Sequence, residues 1–145
     1  MRPDDVVACA RRWVGTPWRH QGRSEAGIDC AGLPIAIAKE LGLADVRVGG
    51  YGRQPDGHTL RFICRRYMRP VDVSEMSPGD VVTMRFPGAI DESHLAVVVD
   101  HPRRGLGIVH ALNAKDGRGR VVEHGLDEAW RARITAVYRL PGIEA

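Results

Sequence analysis

The first half of the chain spaces its apolar residues for helices, and the second half spaces them for strands. Val6, Val7, Ala10, Trp13 and Val14 share one face of a helix predicted over residues 3–14. Pro3 suits its first position, Asp4 and Asp5 suit its positive end, and Gly15 stops it. A second helix, apolar all round, is predicted up to about Leu41, with Asp29 as N-cap and Gly42 as terminator. On that reading Pro34 falls just past the first turn and forfeits the bond to the Cys30 carbonyl, distorting the helix start. A third helix runs from about Gly57 to Met68, with Leu60, Ile63, Cys64 and Tyr67 facing inward. Residues 15–27 and 44–57, rich in glycine, read as loops.

The turn Ser77-Pro78-Gly79-Asp80 marks the change of character. Strand-like runs follow at 80–86, 94–100, 106–112, 120–123 and 134–140, with a short helical piece around 126–132 before the last. Helices first and strands afterwards imply an α+β domain over residues 1–145, its N-terminal helices packed on a C-terminal antiparallel sheet of about five strands. There is no internal repeat, low-complexity segment or linker.

Composition narrows the partners. The net charge of +3 rests on arginine, since only Lys39 and Lys115 are lysine among 21 basic residues. The arginines are scattered, with no basic stripe interleaved with aromatics, so nucleic acid is not expected as a partner. No apolar run approaches the ~20 residues of a membrane span. The opening Met1-Arg2-Pro3-Asp4-Asp5 lacks the apolar stretch of a secretory signal, so the expectation is synthesis in the cytoplasm without one. Three cysteines, far apart and without a CxxC pair, form neither a disulfide framework nor a thiolate zinc site, and no metal or other cofactor is expected. Cys9 and Cys64 sit in helical patterns as small buried residues.

Cys30 differs. It stands where a polar, glycine-rich loop gives way to the apolar helix, and at a helix start the unpaired N–H groups and the macrodipole favour thiolate. Six histidines are candidates for its base: His20, His58, His94, His101, His110 and His124. His94 and His110 flank a hairpin turn symmetrically about Pro102, so the simplest register sets them opposite each other on one face, Cβ atoms about 5 Å apart. One imidazole could then take the thiol proton while the other holds it in the right tautomer. A slip of one residue would separate them. Solvent-exposed or capping roles suffice for His58, His101 and His124, whereas His20 lies in the loop leading to Cys30.

These residues, taken in order, resemble the NlpC/P60 cysteine peptidases: Gly15-Thr16-Pro17-Trp18, then Asp29-Cys30-Ala31-Gly32-Leu33, Pro78-Gly79-Asp80, His94 and His110-Ala111. The resemblance implies a papain-like fold and hydrolysis of amide bonds in peptidoglycan stem peptides, typically γ-D-glutamyl-diaminopimelate. By position it makes Cys30 the nucleophile, His94 the general base and His110 the residue orienting it, with Trp18, His20, Asp29 and Ala31 on the substrate side. The family usually has tyrosine at Trp18 and serine at Ala31, and both departures remove a hydroxyl. Arg19-His20-Gln21-Gly22, the segment 51–57 and the ending Val121 to Ile134 resemble the branch associated with phage tails and gene-transfer agents. That resemblance implies a virion- or tail-associated enzyme acting on the cell wall, with tail or gene-transfer-agent proteins as partners. The competing expectations are a structural tail-tip protein of the same fold with little activity, and an acyltransferase or amidase using the same triad.

Overall fold

The computed structural model describes residues 1–43, 57–89, 92–102, 105–114 and 116–143, and the side chains at 57 and 58 are not among those described. The predicted loop before Gly57, with the phage-like segment in it, therefore lies outside the described residues, as does the His58 side chain.

Helix α1 spans Pro3–Arg12, with Trp13 as C-cap. The Arg2 backbone N–H donates to the Asp5 carboxylate at 3.0 Å, and Val6, Val7, Cys9 and Ala10 face the core. The helix stops short of Val14, which is exposed, and Gly15 takes φ +94° as the chain turns away. Two-residue strands β1 (Arg23–Ser24) and β2 (Gly27–Ile28) pair as a small ribbon that the apolar pattern was too short to signal. Helix α2, Gly32–Glu40, is buried from Gly32 through Ala38. Its N-cap is Ala31, not Asp29, so Pro34 falls at the third helical position. The Leu33 N–H donates to the Asp29 carbonyl at 3.1 Å and the Ile35 N–H to the Ala31 carbonyl at 3.4 Å, so the bond Pro34 withholds from the Cys30 carbonyl is a gap between them, and the regular helix begins only at Gly32. Helix α3 covers Gly57–Tyr67, within one residue of the expectation.

Strands β3 (Arg69–Val71), β4 (Val81–Met84), β5 (His94–Asp100), β6 (Leu106–Leu112), β7 (Arg120–Gly125) and β8 (Ile134–Arg139) form one antiparallel sheet in the order β3-β8-β4-β5-β6-β7. The sheet has six strands where about five were expected. The extra strand, β3, is only three residues long and contains Pro70, which edge strands tolerate and interior strands do not. A short helix α4, Glu128–Arg131, capped by the Asp127 carboxylate, precedes β8.

Both faces of the sheet are covered. Val81, Leu95, Val97, Val99, Val109 and Tyr138 pack with α1, α2 and α3, while Val82, Met84, Ala96, Val98, Ile108 and Val137 pack under Leu126, Trp130 and Ile134. The Pro78-Gly79-Asp80 turn is held by a buried ion pair in which Arg139 donates to both Asp80 oxygens, at 2.7 and 3.0 Å. Arg11 binds Glu123 at 3.1 Å and Gly15 N–H reaches the Val121 carbonyl at 2.9 Å, which ties α1 to β7. The helical layer is thereby locked to the sheet edge opposite β3.

The loop leading to α2 is built on close backbone approaches. A Cβ on Gly32 would lie 2.3 Å from the Gly22 carbonyl oxygen, and one on Gly22 would lie 2.3 Å from that of Gly27. Gly32→Ala therefore has to push backbone apart at the start of a buried helix, and it is expected to lower stability by about 1–3 kcal/mol. Urea denaturation followed by circular dichroism measures this, and an unchanged midpoint would contradict the packing described.

Candidate active site

Asp29 organises the segment that carries the cysteine. Its buried carboxylate accepts the Gln21 N–H at 2.8 Å with one oxygen and the Gly32 N–H at 2.7 Å with the other. One side chain thus joins the loop, at Gln21 with its φ of +56°, to the first helical residue of α2. Cys30 sits in the turn between β2 and α2, two residues ahead of the helix. Its Sγ faces the start of β5, directed at the Ser93 carbonyl at 3.9 Å and near the Leu95 N–H. The thiol therefore lies against the backbone on either side of His94, although among the described residues no hydrogen bond joins Sγ to the His94 ring.

The thiol is buried, 7% exposed, and this overturns the expectation of a depressed pKa. Burial and the Asp29 carboxylate push it up to about 12, outweighing the N–H groups of Leu95, Ala31 and Cys30 that pull it down. A position at a helix start favours thiolate only where water or a cation can share the charge. Cys9 and Cys64 are buried as expected, and Cys9 donates to Glu40 at 3.0 Å.

His94 and His110 meet on the sheet face away from α2, His94 Nε2 lying 2.7 Å from His110 Nδ1. They are not directly opposite. β5 and β6 pair Val97 with Val109 and Asp100 with Leu106, which centres the hairpin on residue 103 and makes the two histidines diagonal neighbours. A shift of two keeps both on one face, so long side chains still touch. A third histidine, expected only to cap or face solvent, continues the line. His110 Nε2 lies 2.8 Å from His124 Nε2, and His124 Nδ1 lies 2.9 Å from the Gly125 carbonyl. β6 and β7 pair His110 with Val122, so His124 is again displaced by two. The 110–124 hairpin, tested for symmetry as the 94–110 hairpin was, carries the signal that finds it.

Aromatic rings cover this line. Phe86 lies 4.9 Å from His94 by ring centroids, and Trp130 lies 5.1 Å from His110 and 4.7 Å from His124. The Arg133 guanidinium sits 4.2 Å over Trp130 and 5.5 Å over Phe86. Trp130 and Arg133 lie in the ending that resembles the phage-associated branch and Phe86 in no motif, but only the folded sheet brings the three together over the histidines. Burial, reinforced by Arg133, lowers the His94 pKa to about 3. Burial, with the neighbouring His94, His124 and Arg133, lowers that of His110 to about 2.

The four residues assigned to the substrate side share the loop that leads to α2 but differ in exposure. Trp18 bridges to Ile28 and packs, half-buried, against the helical core. His20 is half-buried in the loop, Asp29 is committed to the two backbone bonds above, and Ala31 is wholly buried with its methyl in the core. Asp29 and Ala31 thus build the turn that presents Cys30 and offer no open surface of their own. No group of three or more histidine, cysteine or acidic side chains suited to hold a metal occurs among the described residues, and no helix is long and apolar enough to cross a membrane.

No family model matches this sequence, and no curated protein matches it. Solved structures do. An NlpC/P60 family protein from Bacillus cereus aligns at 18% identity with a TM-score of 0.68 over 96% of this chain. The chain spans only 40% of that protein's length. The NlpC/p60 domain of the peptidoglycan hydrolase SagA aligns at 18% identity and a TM-score of 0.65, over 97% of this chain and 100% of the domain. RipD from Mycobacterium tuberculosis, described as a non-catalytic NlpC/p60 domain protein adapted to peptidoglycan binding, aligns at 14% and 0.58, over 94% of this chain and 95% of its own. At these identities the likeness establishes the fold, the papain-like α+β arrangement of NlpC/P60 domains.

The lowered histidine pKa values bear on stability. In the unfolded chain both imidazoles bind protons below about pH 6.5, whereas in the fold they stay neutral down to about 3 and 2. Their contribution is complete above pH 6.5 and is lost as pH falls toward 3, by at most about 1.4 kcal/mol per pH unit for each histidine. Unfolding free energies from urea titrations at pH 7 and pH 5 are expected to show this decline. The double variant His94→Gln/His110→Gln should flatten it, and an unchanged slope would count against two buried neutral rings.

Proposed function

We propose that this chain is a cysteine endopeptidase of the NlpC/P60 type that hydrolyses amide bonds in peptidoglycan stem peptides. The observation that carries the reading is the buried His94–His110 pair at 2.7 Å, formed on the strand whose first residues contact the Cys30 thiol. The shared fold with a domain of a peptidoglycan hydrolase supports the substrate class. In this mechanism Cys30 Sγ attacks the stem-peptide carbonyl, and His94 takes the thiol proton through Nδ1, because Nε2 is engaged with His110. The base then returns the proton to the leaving amine, and water hydrolyses the acyl-enzyme. The Cys30 N–H is the nearest candidate donor to the oxyanion. A neutral thiol and a neutral imidazole make proton transfer uphill in the empty site, so transfer accompanies substrate docking, when Sγ turns from Ser93 toward His94.

The bond cut is taken to be γ-D-glutamyl to diaminopimelate, with a phage tail or gene-transfer agent as carrier and the cell wall as the place of action. Both follow from the sequence resemblance alone. A second reading is a binding domain without catalysis, like RipD, and the closed-in thiol favours it.

Purified peptidoglycan digested by the protein, with product masses read by mass spectrometry, separates the readings. Stem-peptide fragments are expected from the unaltered chain and none from Cys30→Ala or Cys30→Ser. Fragments that persist in either variant would sink the assignment. His110→Ala should lower the rate about 10²–10⁴-fold and leave residual cleavage, as loss of an orienting partner does.

A further inference from the structure

We infer that His124 is a positioning residue for the base: through His110 it fixes the tautomer that leaves His94 Nδ1 unprotonated, the nitrogen the proposed proton transfer uses. This rests on the reading of His94 as general base. The argument starts at the outer end of the histidine line, where the Gly125 carbonyl can only accept, so His124 Nδ1 carries its hydrogen. In a neutral His124 the other nitrogen, Nε2, is then an acceptor, and at 2.8 Å it requires His110 Nε2 to donate. His110, donating from Nε2, accepts at Nδ1, and at 2.7 Å it requires His94 Nε2 to donate. That leaves His94 Nδ1 as a lone pair. Each bond fixes the next, and the opposite order would need both nitrogens of His124 to donate.

The surroundings hold this order in place. His110 is wholly buried, and Trp130 packs against both His110 and His124. His124 is half-buried and lines a surface cleft of about 700 Å³ with His101, Leu106, Asp127, Trp130 and Arg131. A line of three imidazoles closed by a backbone carbonyl thus does what a carboxylate or amide does behind the histidine of other cysteine or serine triads. Cys30 does not line that cleft, so His124 acts through His110.

The test uses the full chain labelled with ¹⁵N-histidine, and long-range ¹H–¹⁵N correlation reads which ring nitrogen bears hydrogen. Nε2–H is expected for His94 and His110, and Nδ1–H for His124. His124→Phe keeps a ring against Trp130 but removes the acceptor, so His110 should become a mixture of tautomers. The kcat for peptidoglycan cleavage should fall at least about tenfold at unchanged KM. His124→Gln supplies an amide oxygen to His110 Nε2–H and should keep the tautomer and most of kcat. Circular dichroism checks folding, and if His124→Phe does not fold, the unaltered spectrum together with His124→Gln decides. Nδ1–H on His110 in the unaltered protein, or a His110 spectrum unmoved in His124→Phe, would overturn the inference. A protein that never cleaves peptidoglycan would overturn the peptidase reading instead, leaving the spectra to judge the role of His124.

Discussion

The central strand β5 is covered on both faces, and most of the site's chemistry follows from that constraint. A polar side chain on such a strand has no water to fall back on and has to be satisfied by the protein. His94 meets this requirement through His110, His110 through His124, and His124 through the Gly125 carbonyl. The chain of bonds ends where a backbone acceptor can be found without another buried side chain. The same closure lowers the imidazole pKa values, because burial disfavours a cation there and Arg133 opposes one.

The helical layer solves a complementary problem. A cysteine presented from a turn needs a rigid turn, and here rigidity comes from the Asp29 carboxylate and from glycines whose neighbours leave no space for a Cβ. The loop is polar in sequence yet compact in structure, since its donors are used internally. This burial also explains the resting state of the thiol. Desolvation exceeds what three nearby N–H groups return, so the sulfur keeps its proton until something else changes its surroundings.

The helices, the central strands and the meeting of His94 with His110 were legible in the sequence because each rests on local periodicity, a turn or a hairpin. The short ribbon β1–β2 and the edge strand β3 were not, since two or three residues carry no period. The N-cap of α2 was misplaced by two residues because Asp29 does accept the Gly32 N–H, but from one turn position earlier than a cap. The thiol's ionisation went wrong for a different reason: a local helix-start argument contains no information about what packs over the sulfur. The meeting of Trp130, Arg133 and Phe86 over the histidines could not be read, as it depends on β4, α4 and β8 folding together.

The three histidines cross β5, β6 and β7 on a diagonal, each displaced by two residues from its direct partner. A line drawn across strands in this way is sensitive to shear. If either hairpin closed one residue out of register, a histidine would pass to the opposite face and the line would be cut, while most backbone bonds of the sheet could re-form. The histidine line is therefore a checksum on folding, since a molecule can be compact and hydrogen-bonded and still lack it. The fraction of molecules showing the histidine-line hydrogen bonds would then count correctly registered sheets, a quantity that secondary-structure content alone does not report.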